Sequence, residues 1–519
     1  MQPACIRHTD LPGTSRLFAD FSYHFERVAR YYGHDPHDPA SLGKAAAEID
    51  YPADRRAALV RALAAQNGEC ESLRKLAEPG TVAVVTGQQV GLFSGPAYTI
   101  YKALTAARLA AQLSDRGIPA VPVFWLATED HDFAEVNHAW LFDGNGDSHM
   151  LRVDAPASSA GRPRPVGWIS IDKAPLDVLS GVLKGMPFAD QVIAAVEAAY
   201  VPGATLGASF RALLQTLTRN LGLLFLDPLE PAIRAIAAPL IAKAVTASAE
   251  IKPRLIERNK ELAAAGYHAQ VHLDGRTSLF FLLENGERVP VRRKDSDYSD
   301  LRDRAAQVSP NALLRPVMQD FLLPTVAYIG GPGELAYLAQ SQVLYEALLG
   351  RMPVVMARSA FTLVDARSTK LLERYGLAVA QAFVPQHTLA DRVARALVPP
   401  EMESSLDAAT SRIAGQVDRL KADLETFDPT LAAALSTSRA KIVYQLEKMR
   451  RKTEREALRR NQQASEEARH LSAMLFPHRH LQERFYSILP FLAQHGPDLV
   501  DRLYQAVELD CPDHRVFFI

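Results

Sequence analysis

Cysteine is nearly absent from this chain. Its 519 residues include three, Cys5, Cys70 and Cys511, with no CxxC pair among them. That excludes a disulfide framework and a cysteine-rich zinc centre, and it makes a reducing, cytoplasmic setting the expectation. Long hydrophobic runs are missing too: no stretch reaches the roughly 18 apolar residues a membrane span needs. The opening MQPACIRHTDLPG lacks the charged-then-apolar layout of a signal peptide. Neither sign of charge dominates, since 58 Lys and Arg against 59 Asp and Glu leave a net charge of −1. A chain-wide nucleic-acid footprint is therefore not expected, and neither is a membrane partner.

What is present is a globular composition, 48% hydrophobic and 23% charged. At about 150 residues per domain the length corresponds to roughly two to four units. After a helical N-terminal stretch, TVAVVTGQQ from Thr81 is a β-branched run entering a loop. A helix is predicted over Tyr98–Arg116, then a strand AVPVFWLAT ending at Glu129-Asp130-His131-Asp132. Strand, polar loop, helix, strand is a βαβ unit, and continuously apolar strands imply a parallel sheet covered on both faces. LGLLFLD, PTVAYIGGPGELAYLAQ and MPVVMAR repeat the logic. Residues 139–180 and 267–294 fit it poorly; the second reads as antiparallel hairpins with Asp-Gly and Asn-Gly turns.

Residues 386–470 follow another rule. Ile413, Val417, Leu420 and Leu424 step by four, three and four, an a/d seam. Phe427-Asp428-Pro429 stops that helix, and a second seam runs through Leu431, Leu435, Ile442, Leu446 and Met449. Two such helices predict an antiparallel hairpin about 40 Å long that dimerises the protein. The fold class expected is thus α/β: a Rossmann-type doubly wound core with two connecting insertions and an antiparallel α-helical coiled-coil arm. The boundaries expected are core 1–138, insertion 139–205, core 206–264, insertion 265–305, core 306–385, arm 386–470 and a C-terminal segment 471–519 returning to the core.

Three motifs end predicted strands. Thr86-Gly-Gln-Gln, with glycines at 87, 91 and 95, is neither GxxxxGK[ST] nor GxGxxG, yet glycine backbone and a following helix N-terminus favour an anion. Tyr98 and Lys102 share one face of that helix and can reach a carboxylate or phosphate. Glu129-Asp130-His131-Asp132, followed by Glu135 and Asn137, concentrates carboxylates at a strand end, where open α/β sheets bind ligands. These can hold an amine or Mg²⁺, and His131 is a candidate general base near neutral pH. Gly330-Gly331-Pro-Gly-Glu334 opens a helix carrying Tyr337, and Arg358 ends the next strand as an anion contact. The alternatives for each are a packing turn, a solvated cap or a tight βα turn. The basic run between Arg439 and Arg460 reads as a solvated coiled-coil face rather than a nucleic-acid site.

VTGQQVGLFSGPAYTIYKALTAARLA, PVFWLATEDHDFAEVNH, YIGGPGELAYLAQ and the terminal MLFPHRHLQERFYSILPFL resemble, in this order, the bacillithiol biosynthesis cysteine-adding enzyme family (BshC). The resemblance implies a Rossmann-type core, a dimer formed by the coiled-coil arm, and the joining of cysteine to glucosaminyl malate. It implies site roles for Thr86, Gln88, Gln89, Tyr98, Lys102, Glu129, Asp130, His131, Asp132, Asn137, Gly330, Gly331, Glu334 and Tyr337. It also implies a second nucleotide pocket near Phe491, His495 and Gly496, with His495 where the family carries an aromatic residue. ATP or ADP is the cofactor expected, because a carboxylate does not condense with an amine unactivated. Mg²⁺ is admitted as a companion, with no tightly bound metal. The class I synthetase signatures HIGH and KMSKS are missing. A nucleotidyltransferase acting on another substrate, and an RNA-binding scaffold using the basic arm, stay open as alternatives.

Overall fold

A computed structural model describes residues 4–154, 163–273, 277–291 and 298–519. In chain order its strands are β1 (Ala4–Ile6), β2 (Val82–Gln88), β3 (Ala120–Leu126), β4 (His138–Phe142), β5 (Ser148–Arg152), β6 (Leu224–Leu226), β7 (Phe280–Glu284), β8 (Glu287–Pro290), β9 (Val308–Pro310), β10 (Thr325–Gly330), β11 (Val354–Ala357), β12 (Phe361–Val364) and β13 (His514–Phe518). The chain divides into two compact units. One holds residues 2–362 and 483–517, the other 363–482 with 518–519.

The first unit is built on a five-stranded sheet in the order β11-β10-β2-β3-β6, parallel throughout. Successive residues of a strand face opposite sides, and β2 shows what that demands of the sequence. Val82 and Val84 join one apolar cluster with Ala106, Leu109 and Leu113 of the helix Tyr98–Asp115. Ala83 and Val85 join another with Leu335, Leu338 and Ala339 of the helix Pro332–Leu348. With both faces covered, no position of β2 through Val85 can be polar, hence the unbroken apolar run. Strand order reverses between β2 and β10, which leaves a crevice at their carboxyl ends.

Two antiparallel elements interrupt the parallel scheme where the sequence pattern broke. The β4–β5 hairpin occupies the first insertion, and β7 and β8 the second, where β7 also pairs with β9 just beyond it. The β7–β8 turn is Asn285-Gly286, both with positive φ, as a tight hairpin requires. The predicted Asp274-Gly275 turn lies outside the described residues. Among the described residues no single helix is long and apolar enough to cross a membrane.

The second unit is helical. Helices Pro400–Phe427 and Pro429–Arg460 meet at Asp428, whose carboxylate accepts from the Thr430 N–H and starts the second helix. Ion pairs Arg439–Asp418 and Arg450–Asp407 nest around that turn, so the helices run antiparallel. Twenty-eight residues make the first about 42 Å long. Its seam is not closed: Leu420 is 50% exposed and Phe427 82%.

Candidate active site

The three motifs line one cavity of about 520 Å³ at the carboxyl edge of β10, β2 and β3. Gln88 and Gln89 come from the end of β2, Glu129 and Asp130 from the loop after β3, Glu135 from the short helix Phe133–Val136 that follows, and Gly331, Glu334 and Tyr337 from the start of the helix after β10. Tyr98, Lys102 and Arg358 complete this part of the wall.

Lys102 is buried and all three of its N–H donors are engaged. Nζ donates to the Gly87 carbonyl at 2.8 Å, to Gln88 Oε1 at 2.8 Å and to the Glu334 carboxylate. Burial lowers the Lys102 pKa, and the Arg358 and Arg315 charges push the same way against the attraction of Glu334. Burial raises the Glu334 pKa in turn, but Lys102, the Gly331 N–H at 2.8 Å and the Tyr328 hydroxyl at 2.6 Å outweigh it and hold the carboxyl below its ordinary value. A carboxylate accepting three such bonds stays ionised, so the ion pair is the ground state. Arg358 is likewise committed, donating to both oxygens of the buried Glu483 at 2.9 and 2.6 Å. Glu129 is held by Arg234 at 2.6 Å.

Asp130 and Glu135 remain on the acidic side. Gln89 Nε2 donates to Asp130 at 2.7 Å and to Glu135 at 2.6 Å, drawing the two carboxylates together. Among the described residues no group of three or more His, Cys, Asp or Glu is placed to hold a metal.

Several predicted site residues do not line the cavity. Thr86 is buried and donates to the Ile329 carbonyl at 2.8 Å, tying β2 to β10. Asp132 caps the short helix Phe133–Val136. Asn137 is buried beside His138. A Cβ on Gly330 would meet the Leu335 side chain at 3.0 Å; Gly87 does line the cavity, but a Cβ there would meet the Trp125 carbonyl at 2.9 Å. These glycines permit close packing rather than cradle an anion. His131 turns to Arg288, whose guanidinium donates to Nδ1 at 2.9 Å. Burial, then the Arg288 charge, lowers the His131 pKa, so its ring is neutral near pH 7. Phe491 packs edge-on against Phe142 with ring centres 4.8 Å apart. His495 and Gly496 end the same short helix, and none of the three reaches the cavity.

The comparisons with known proteins agree with this architecture. The model described as "Bacillithiol biosynthesis BshC, N-terminal Rossmann-like domain" matches residues 1–359, and "Bacillithiol biosynthesis BshC, C-terminal coiled-coil domain" matches 361–519. The chain belongs to the BshC family. Relatives named "Putative cysteine ligase BshC" include one from Solibacter usitatus, 51% identical over 100% of both chains. Others are from Koribacter versatilis, 35% identical over 99% of each, and Salinibacter ruber, 32% identical over 96% of this chain and 95% of the relative.

In this BshC chain the opposite wall of the cavity comes from residues the sequence reading passed over. Arg288 on β8 donates to Ser309 Oγ at 3.0 Å and to the Pro310 carbonyl at 2.8 Å, and lies 3.9 Å from the Phe281 ring centre. Arg315 begins the helix Arg315–Leu322 and donates to Gln319 and to the Tyr337 hydroxyl, both at 3.0 Å. Neither guanidinium forms an ion pair with a carboxylate among the described residues; Glu129, Asp130 and Glu334 act on them only from farther away. Burial lowers the Arg288 pKa; in Arg315 the Tyr337 and Tyr328 hydroxyls and Glu334 outweigh burial and raise it. Trp125, on the same cavity, has a buried indole N–H with no acceptor among the described residues. A signal for Arg315 did exist: one charge in the apolar run Leu313-Leu314-Arg315-Pro316-Val317-Met318.

Proposed function

We propose that this cavity is the ligase site, where the carboxyl of cysteine is joined to the amine of glucosaminyl malate to form an amide. The observation that carries the reading is the division of the cavity wall by charge. Asp130 and Glu135 offer acceptors to ammonium groups, while Arg288 and Arg315 line the same cavity with guanidinium donors that pair with no carboxylate among the described residues. Burial outweighs the distant Glu129 and Asp130 charges at Arg288 and lowers its pKa, so an anion beside that guanidinium offsets its desolvation. The malate carboxylates are such anions, and the polar residues opposite hold the amine where an activated carboxyl can meet it.

Activation is assigned to a nucleotide. The residues present fit a polyanion: Gly333 opens toward the cavity at the N-terminus of a seventeen-residue helix, and Arg315 stands across from it. When bound, ATP supplies the phosphoryl or adenylyl group that makes the cysteine carboxyl reactive; Asp130 and Glu135 are the residues available to an accompanying Mg²⁺. The test is purified protein with ATP, cysteine and glucosaminyl malate, read by mass spectrometry of the thiol product. Product that requires all three supports the reading. Nucleotide turnover that ignores glucosaminyl malate overturns it in favour of a nucleotidyltransferase with another substrate.

The arm is proposed as a homodimer surface. Ile413, Leu420, Leu431, Ile442 and Met449 stay exposed although they lie on the two seams, which leaves apolar surface for a second chain. Five basic residues of the run between Arg439 and Arg460 are paired within the same unit: Arg439 to Asp418, Arg450 to Asp407, Arg455 to Asp391, and Arg459 and Arg460 to Glu456, which lowers the charge the arm offers to a nucleic acid. Light scattering should give a dimer mass; a monomer at micromolar concentration refutes the assignment.

A further inference from the structure

Two of the three cysteines, 506 residues apart in sequence, meet: Cys511 Sγ lies 3.9 Å from Cys5 Sγ. Cys5 sits on β1, where Ala4–Ile6 pair antiparallel with His514–Val516 of β13. Cys511 sits in the loop entering β13. We propose that Cys5 and Cys511 are a reversible thiol–disulfide pair that cross-links the two ends of the sheet unit, taking a low-molecular-weight disulfide as co-reactant.

The geometry supports the pair on three counts. A disulfide needs its sulfurs about 2.05 Å apart, so they must close by roughly 2 Å; the three-residue strand and the loop facing it can supply that movement. Cys5 is exposed and Cys511 partly so, which admits a small disulfide to the first and keeps the second at hand to resolve the adduct. Cys70 stands at the start of the helix Glu71–Ala77 and takes no part in the Cys5–Cys511 contact.

The chemistry balances. The Cys5 thiol loses its proton and its sulfur attacks one sulfur of RSSR, releasing RS⁻, which takes up that proton as RSH. Cys511, deprotonated in turn, attacks Cys5 Sγ in the mixed disulfide and expels the second RS⁻ as RSH. Two protein thiols are oxidised, one small disulfide is reduced, and two RSH leave. Burial, reinforced by Cys511, holds the Cys5 thiol above its ordinary pKa. Exchange is therefore slow near neutral pH and accelerates as pH rises.

The pair reaches the cavity wall through β13. His514, three residues after Cys511, is hydrogen-bonded to Thr362 at 2.8 Å, and its charge state acts on Glu483, the partner of Arg358. The cross-link thus fixes the strand behind the paired side of the site.

Full-length protein treated with hydroxyethyl disulfide at pH 8, then freed of reagent, tests the pair. The expected product has lost about 2 Da and two titratable thiols. Non-reducing peptide mapping should recover a Cys5–Cys511 cross-link within one chain, and a reductant should reverse it. Cys511→Ser should instead retain an adduct of about 76 Da on Cys5, because nothing resolves it. A wild-type protein that keeps the adduct on Cys5, or whose cross-link contains Cys70 or joins two chains, overturns the proposal. Three thiols unchanged after treatment overturn it equally. Cys70→Ser should leave every one of these readings as in the wild type.

Discussion

The two sides of the cavity treat positive charge differently. On the β2–β10 side, Lys102 and Arg358 are each locked to a buried carboxylate, Glu334 and Glu483. On the side built by the second insertion and the helix Arg315–Leu322, Arg288 and Arg315 touch hydroxyls, carbonyls, an amide, aromatic rings and the neutral His131 ring, and no carboxylate among the described residues. A paired buried charge stabilises the fold relative to its broken pair; Arg288 lacks such a partner among the described residues and burial lowers its pKa, whereas Tyr337, Tyr328 and Glu334 outweigh burial at Arg315. The first side is therefore architecture, and the second is the proposed anion-binding wall.

The largest effect should come from breaking the architectural side. Lys102→Met leaves Glu334 buried and uncompensated, at about 3–5 kcal/mol of folding stability. Adding Glu334→Gln should restore a good part of it, and urea denaturation of both variants checks this. A single variant as stable as the wild type would erase the contrast between the two sides.

Arg315→Ala should do the reverse. Stability should change little, while kcat/KM for the anionic substrate falls on the order of 100-fold, about 3 kcal/mol, as for truncation of a hydrogen-bonded charge facing its partner. Arg288→Ala should act alike. Steady-state kinetics with calorimetric melting separates the two quantities, and a variant that melts early but keeps its kcat/KM would move these arginines to the first side.

The paired side also carries a pH dependence. Burial, and in each case the Arg358 charge, lowers His8 and His514 to about 4, against the opposing attraction of Glu483. Their folded pKa lies below the unfolded value of about 6.5, so between those limits the unfolded chain binds more protons and stability falls as pH falls. The slope should approach about 1.4 kcal/mol per pH unit for each imidazole. Denaturation midpoints from pH 7 to pH 4.5 check it, and His514→Asn should flatten the curve.

The smallest effect concerns His131, which holds Arg288 rather than facing the cavity. His131→Ala should raise KM about 10-fold, roughly 1.4 kcal/mol, with kcat nearly unchanged. His131→Asn should recover part of the loss through its own acceptor oxygen. Because the ring is already neutral near pH 7, no new ionisation should enter kcat/KM between pH 7 and 8. A collapse of kcat in His131→Ala would instead return His131 to the role of general base.

Much of this fold was legible in the residues alone. Apolar runs such as TVAVV and AVPVFW specify strands buried on both faces, and a/d steps through Ile413 and Leu420 specify paired helices, because each pattern repeats with the period of its own backbone. The polar ends of those strands also marked three sides of the cavity, since a parallel sheet gathers its carboxyl ends along one edge. Which side chains meet there was not legible, because pairing depends on where distant segments land. Arg358 finds Glu483 125 residues on, and Arg288 finds His131 157 residues back. The predicted anion contacts Lys102 and Arg358 are thereby neutralised, while Arg288, in a hairpin within a predicted insertion, lines the cavity without an ion pair among the described residues. Cys5 and Cys511 likewise look solitary along the chain, and only the pairing of β1 with β13 brings them together. Local periodicity is encoded within a few residues, but charge balance in a buried cavity is a property of the closed tertiary structure.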